Sequence, residues 1–164
     1  MTVTSVRNTS GKTARPPKVQ DAIALLRADH KEVSGLFAEY EKTRSVARKE
    51  DLVEQICTAL TVHAQVEEEI FYPAVKRALK DVELVPEAIV EHATLKDLIS
   101  QVEGLQPDGE TFDARIKVLS EYVKHHVNEE QDEMFPQAKA TKLDMAALGA
   151  EMTTRKGVLL AERD

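Results

Sequence analysis

HAQVEEEIFYP at residues 63–73 and HVNEEQDEMFP at residues 126–136 are two copies of one pattern. Laid over each other without gaps, they match His63 with His126, Glu67 with Glu130, Phe71 and Tyr72 with Met134 and Phe135, and Pro73 with Pro136. The copies extend upstream. Asp29-His30 and Glu91-His92 echo each other, and the His-to-His intervals are 33 and 34 residues. This predicts two similar helix pairs in tandem, related by pseudo-twofold symmetry about the axis of a bundle.

Around these copies the apolar residues recur at steps of three and four, the period of one helical face. The first stripe is Ile23, Leu26, His30, Val33, Phe37 and Tyr40, and the pattern pauses at Arg44 and Ser45. The second runs Val53, Ile56, Leu60, His63, Glu67, Ile70 and Ala74. The third is Val85, Ala88, His92, Leu95, Ile99 and Val102, with Pro86 suited to a first helical turn. After the break EGLQPDGE comes the fourth: Phe112, Ile116, Leu119, Val123, His126, Glu130 and Glu133. The expected fold is all-α, an up-down-up-down four-helix bundle. A shorter fifth helix between Leu143 and Leu160 should pack on its outside or along one end. Residues 1–18 are polar and aperiodic and read as a disordered tail, leaving 19–164 as one helical domain.

Composition agrees and excludes other classes. The 164 residues are 42% hydrophobic and 31% charged, and they include no Trp. Gly and Pro, six of each, are too few for the turns of an all-β sandwich. No apolar run reaches the roughly 18 residues of a membrane span, and the start lacks a secretory apolar stretch, so a cytoplasmic setting is expected. The net charge is −7, and removing the basic first nineteen residues leaves 18 basic against 29 acidic groups. Such a domain is a poor nucleic-acid binder, because phosphate contacts need a basic face. The lone Cys57 excludes an internal disulfide framework and reads as a small core residue.

The stripes carry an anomaly. A core face should be aliphatic, yet each stripe has a His near its middle, and the second and fourth also carry a Glu. Glu is almost never buried unpaired, and six such groups would cancel much of a net stability of about 5–15 kcal/mol. A bound metal compensates directly. His63 and Glu67 are four residues apart, as are His126 and Glu130, so each pair shares a helical face. With His30 and His92 the set is four imidazoles and two carboxylates, too many for one tetrahedral zinc. Two carboxylates that each bridge a pair of ions account for it, and nitrogen and oxygen donors with open positions suit iron or manganese, with zinc a possible substitute.

Helical depth supports the first pair. His30 lies 14 residues before Arg44 and His63 lies 16 after Ala47. The middle connection fits worse, since His63 is 17 before Lys80 but His92 only 8 after Leu84, so the second helix is expected to bend or end near Pro73. The dense acids Glu68, Glu69, Glu129, Asp132 and Glu133 read as solvated faces, with one or two serving imidazole N–H groups, and His125 reads as exposed. A ferritin-like di-iron site needs Glu three residues before His, where this chain has Arg27, Leu60, Ile89 and Val123.

Over about residues 20–140 the doubled HxxxE with its trailing aromatic-Pro, plus one His on each intervening helix, resembles the hemerythrin-like family of HHE cation-binding bundles. The resemblance implies an oxo- or hydroxo-bridged di-iron centre held by His30, His63, His92 and His126, with Glu67 and Glu130 bridging. It places His30 and His63 on one iron, His92 and His126 on the other. One position departs from the oxygen carriers of the family: their fifth His falls at Lys96, which cannot donate a lone pair while protonated. Their last helix also spaces His and Asp by five, where Glu130 is four from His126. Durable oxygen carriage is therefore not expected, and Tyr122 or Glu133 are candidates to fill the vacant coordination position.

The function implied is binding, sensing or detoxification of a small oxidant (O2, peroxide or NO), with weak peroxidase, catalase-like or NO-reducing chemistry as its enzymatic form. The rival is an iron-responsive interaction module in which metal loading controls folding and partner binding.

Overall fold

The computed structural model describes residues 20–81 and 83–164, so the expected tail over 1–18 lies outside the described residues. Helix α1 (Ala22–Lys42) opens at Asp21, whose side chain accepts from the Ala24 N–H at 2.8 Å. A three-residue turn leads to α2 (Val46–Val66), capped by the Ser45 hydroxyl accepting from the Arg48 N–H. The rod then continues through a π-helical turn (Glu67–Phe71) into α3 (Tyr72–Ala78). Helix α4 (Leu84–Ser100) returns with Pro86 in its first turn. Gly109, at φ 93°, starts α5 (Glu110–Glu129), a conformation costly for residues with a Cβ. A second π-helical turn (Glu130–Met134) and α6 (Phe135–Lys139) complete the fourth rod.

Both π turns end two residues before a proline. In a regular helix the Pro73 ring would clash with the Glu69 carbonyl, and Pro136 with that of Asp132. A wider turn relieves this, and the Tyr72 and Phe135 N–H groups instead reach five residues back to the carbonyls of Glu67 and Glu130. The second helix therefore does not end near Pro73; it runs on to Ala78.

The stripes are the buried faces. Every residue of the first and third is buried, as is the fourth as far as Glu130. Glu133 is exposed instead, because the π turn after Glu130 rotates the chain and brings Met134 and Phe135 inward. The apolar core falls into two parts. One, around Leu26, Val62, Phe71, Tyr72, Phe135 and Met152, lies at the π-turn end. The other, around Phe37, Leu52, Ile56, Ile99, Phe112 and Leu119, fills the opposite end and takes in Cys57. Between them lies the layer of histidines and glutamates.

Helix α7 (Met145–Ala161), capped by Asp144, is the fifth helix. It lies along the side of the bundle against α1 and α2, with Gly149 beside Gln20 and Lys156 beside Asp29, so it runs in the direction of α1. Gly149 allows the approach: a Cβ there would stand 2.2 Å from the Gln20 carbonyl oxygen and 2.8 Å from the Ala22 nitrogen. Gly157, on the same helix, has nothing within 4 Å of its Cβ position. Gly149→Ala should destabilise the protein by about 1–3 kcal/mol through overpacking, whereas Gly157→Ala should stabilise it by about 0.5–1 kcal/mol through helix propensity. Denaturant unfolding midpoints read both, and equal effects at the two sites would show that α7 is not docked this way.

Candidate metal centre

The buried polar side chains among the described residues are Asp29, His30, His63, Glu67, His92, His126 and Glu130. They include all six predicted site residues. His30 projects from α1, His63 from α2, His92 from α4 and His126 from α5, while each π turn begins with a glutamate, Glu67 or Glu130. Their ligand atoms form two overlapping groups, each within 4.8 Å: His30, His63, Glu67 and Glu130 in one, Glu67, His92, His126 and Glu130 in the other. The two glutamates belong to both. Either group can hold a metal ion.

The site is built with donors turned inward and left without protein partners. His30 Nε2, His63 Nε2, Glu67 Oε1 and Glu130 Oε2 are buried and make no hydrogen bond. His63 Nε2 and Glu67 Oε1 lie 3.1 Å apart but are not aligned as donor and acceptor. Four orphaned donors converging on one point is an arrangement that burial alone makes costly and a cation makes favourable.

The opposite ring nitrogens face an outer layer of partners. His63 Nδ1 meets Asp29 Oδ2 at 3.0 Å, His126 Nδ1 meets Glu91 Oε1 at 3.1 Å, and His30 Nδ1 meets Gln131 Oε1 at 2.9 Å. The fourth, His92 Nδ1, lies 3.4 Å from Glu68 Oε1 without hydrogen-bond alignment. The three bonded partners hold the rings of His63, His126 and His30 with Nε2 pointing in and make them better donors. The outer residues obey the repeat: Asp29 and Glu91 each precede an inward His, and Glu68 and Gln131 each follow an inward Glu. Sequence reading anticipated an acid such as Glu68 in this role, and the echo Asp29-His30/Glu91-His92 was the signal for two more. Gln131 carried no signal. Of the other acids, Glu69 pairs with Arg155 at 2.6 Å and Asp132 and Glu133 are exposed.

Tyr72 is the inner residue that sequence reading missed. The π turn swings its hydroxyl among the donors, 3.0 Å from Glu67 Oε2, 3.2 Å from Glu130 Oε1 and 3.1 Å from His92 Nε2. Its counterpart in the second copy is Phe135, which stacks on His30 at 5.9 Å. Of the expected completing residues, Tyr122 is half-buried beside His125, and Glu133 is turned outward. Lys96 lines the cavity beside the histidines, but its side chain is 54% exposed and its ammonium binds both Glu68 oxygens at 2.7 Å. His125 is exposed as expected.

Crowding spreads the proton affinities of like groups. Burial and then the charge of His63 push His30 down to about 4. For His126 burial works downward, but its hydrogen bonds with Glu130 and Glu91 carry it up to about 10. Burial would raise Glu67, yet the charge of His63 and hydrogen bonds from His63 and His92 hold it well below the usual carboxylate range. Burial and the Glu67 charge together push Glu130 up to about 7.

Fold and site together define a helical-bundle metal-binding protein. The chain matches the Hemerythrin HHE cation binding domain over residues 21–138, and it belongs to that family. It is 30% identical over 127 residues to a protein from Nostoc sp. (strain PCC 7120 / SAG 25.82 / UTEX 2576) named DNA nickase, covering 77% of this chain but only 35% of that protein. Among solved structures it is similar to a hemerythrin HHE cation binding domain-containing protein from Mycobacterium kansasii. The TM-score there is 0.75 at 21% identity, over 87% of this chain and 89% of the other.

A metal must displace the protons held here. His126 is protonated below about 10 and Glu130 below about 7, and both must be deprotonated to ligate. Metal uptake near neutral pH should therefore release protons, and affinity should rise with pH. Calorimetry in buffers of different ionisation enthalpy counts the protons; uptake with none released would contradict the proton assignment.

Proposed function

We propose that this chain is a di-iron protein that binds and detoxifies a small oxidant, O2, peroxide or NO, with His30, His63, His92 and His126 as terminal ligands and Glu67 and Glu130 shared between the two ions. One observation carries the choice of ligand. A cavity of about 30 Å³ adjoins all four histidines, walled by apolar side chains such as Val33, Leu60, Leu95, Ile99 and Val123. That is room for a diatomic molecule or one or two waters, not for an organic substrate. A roomier groove of about 430 Å³ meets the region only from outside, at His30.

Bound iron supplies electrons and Lewis acidity. The protein supplies the rest. Asp29, Glu91 and Gln131 fix the rings of His63, His126 and His30. The aliphatic wall keeps bulk water from the cavity. Tyr72 keeps a proton on its oxygen, because burial and the charges of Glu67 and Glu130 raise its phenol well above the usual range. That hydroxyl lies 3.0 Å from Glu67 Oε2 and keeps its proton among the inward carboxylates. The nitrogen- and oxygen-rich donor set, with no cysteine in either group, favours iron or manganese over a structural zinc.

Nicking of nucleic acid is not carried over from the Nostoc protein. The match covers about a third of that protein, and residues 20–164 here carry 29 acidic against 18 basic groups. No helix among the described residues is long and apolar enough to cross a membrane. The iron-responsive module is favoured by a separate observation: the orphaned donors come from three of the four rods, so metal removal loosens the whole bundle. Rapid turnover of peroxide or NO by the loaded protein supports detoxification, and its absence beside a large metal-dependent change in partner binding supports the module.

Anaerobic reconstitution should give about two iron atoms per chain and a visible charge-transfer absorption on oxidation. One tightly held zinc with no iron uptake would refute this. Glu67→Ala and Glu130→Ala should lower metal content to a similar extent. Glu69→Ala and Glu133→Ala should leave it nearly unchanged, since both side chains face solvent. Intact loading in Glu130→Ala would overturn the shared-carboxylate assignment.

A further inference from the structure

The repeat makes the two halves of the centre comparable position by position, and at three positions they differ. Tyr72 places a hydroxyl 3.1 Å from His92 Nε2 and 3.5 Å from His126 Nε2, whereas its counterpart Phe135 offers His30 only a phenyl face. Glu68, beside His92, is a carboxylate, whereas Gln131, beside His30, is a neutral amide. Asp29, behind His63, is bonded by Lys156 at 2.6 Å, and Lys156 comes from α7, which lies outside the repeat and has no counterpart. Glu91, behind His126, meets His125 at 3.5 Å and no Lys or Arg among the described residues.

The charges then differ. Around His30 and His63, Asp29 is cancelled by Lys156 and Gln131 is neutral. Around His92 and His126, Glu68 is cancelled by the half-exposed Lys96 and Glu91 remains. Counting the Asp, Glu and Lys groups of these pairs, the second half carries one more negative charge than the first, close to the centre and largely shielded from water. It also holds the additional oxygen donor. Both differences favour a cation in the same half.

We propose that the two metal positions are unequal: the His92/His126 half, with Tyr72 and Glu91, is the tighter position and fills first, and the His30/His63 half holds the second, more exchangeable ion. This rests on the two-ion reading above. The inequality is set by Tyr72 and by Glu91, which lacks the cancelling partner that Lys156 gives Asp29, and positions 68 and 131 are where it can be altered; the six ligands themselves are matched in the two halves.

The test is an anaerobic titration of the metal-free full chain with cobalt(II), following cobalt absorption for stoichiometry and tyrosine signals for location. The chain has three Tyr and no Trp, so tyrosine emission and near-ultraviolet absorption are unmasked, and Tyr72→Phe identifies the share that belongs to Tyr72. Two resolved steps are expected, with the Tyr72 signal changing in the first. Glu68→Gln should weaken the first step about tenfold or more and leave the second in place, while Gln131→Glu should tighten the second and narrow the gap. Both positions lie at the outer edge of the core, so the exchanges preserve the fold; circular dichroism checks it. A total of two cobalt ions entering in one unresolved step would overturn the loading order. So would a Tyr72 signal that changes only with the second ion, or both variants acting on the same step. A total of one ion per chain would overturn the two-ion reading and the loading order with it.

Discussion

Four imidazoles and two carboxylates lie in one layer across the middle of a helical bundle, and the chain is organised around the cost of holding them out of water. The layer divides the apolar core into two parts, so the helices cannot close on each other through aliphatic contacts at this level. In the metal-free protein the groups trade protons, with His30 held neutral and His126 held charged, and several inward atoms find no partner. A divalent ion bound there would replace those protons with a positive charge near the inward atoms, and its binding would then be coupled to folding.

The π turns follow from the same constraint. Each begins at the glutamate of a histidine–glutamate pair and ends two residues before a proline, and each lets the chain present two consecutive buried residues to the centre or its flank. In the first copy this places a tyrosine hydroxyl among the donors, and in the second it lays a phenyl ring over His30. One backbone device, repeated, thus yields two different surroundings, because only one side chain of the pair carries an oxygen. The outer partners show the same behaviour: the helices repeat, the charges do not.

Helix α7 adds what the repeat lacks. It is seated through Gly149 against the start of α1, and from there Lys156 reaches Asp29 and Arg155 reaches Glu69. The first of these contacts lies one residue removed from a ring of the centre, since Asp29 also holds His63. Docking of the fifth helix thus places a charge on Asp29, the partner of His63.

Much of this was legible in the residues. Four stripes at helical spacing are enough to specify the inward faces, because burial of one face is what makes an amphipathic helix stable. Histidine and glutamate on those faces are costly enough to identify the six inner residues without coordinates. Other features depend on distances between helices. Glu133 sat in the fourth stripe by regular periodicity, and only the second π turn, which changes the count per turn, sends it outward, as the first brings Tyr72 in. Lys96 sits one residue from a stripe position, and its direction was decided by Glu68 on a neighbouring rod. Asp29, Glu91 and Gln131 became partners of particular rings only when rods distant in sequence were set side by side. Local period and burial cost are properties of a segment and can be read from it; which charges face each other across the bundle is a property of packing, and tertiary structure alone decided it.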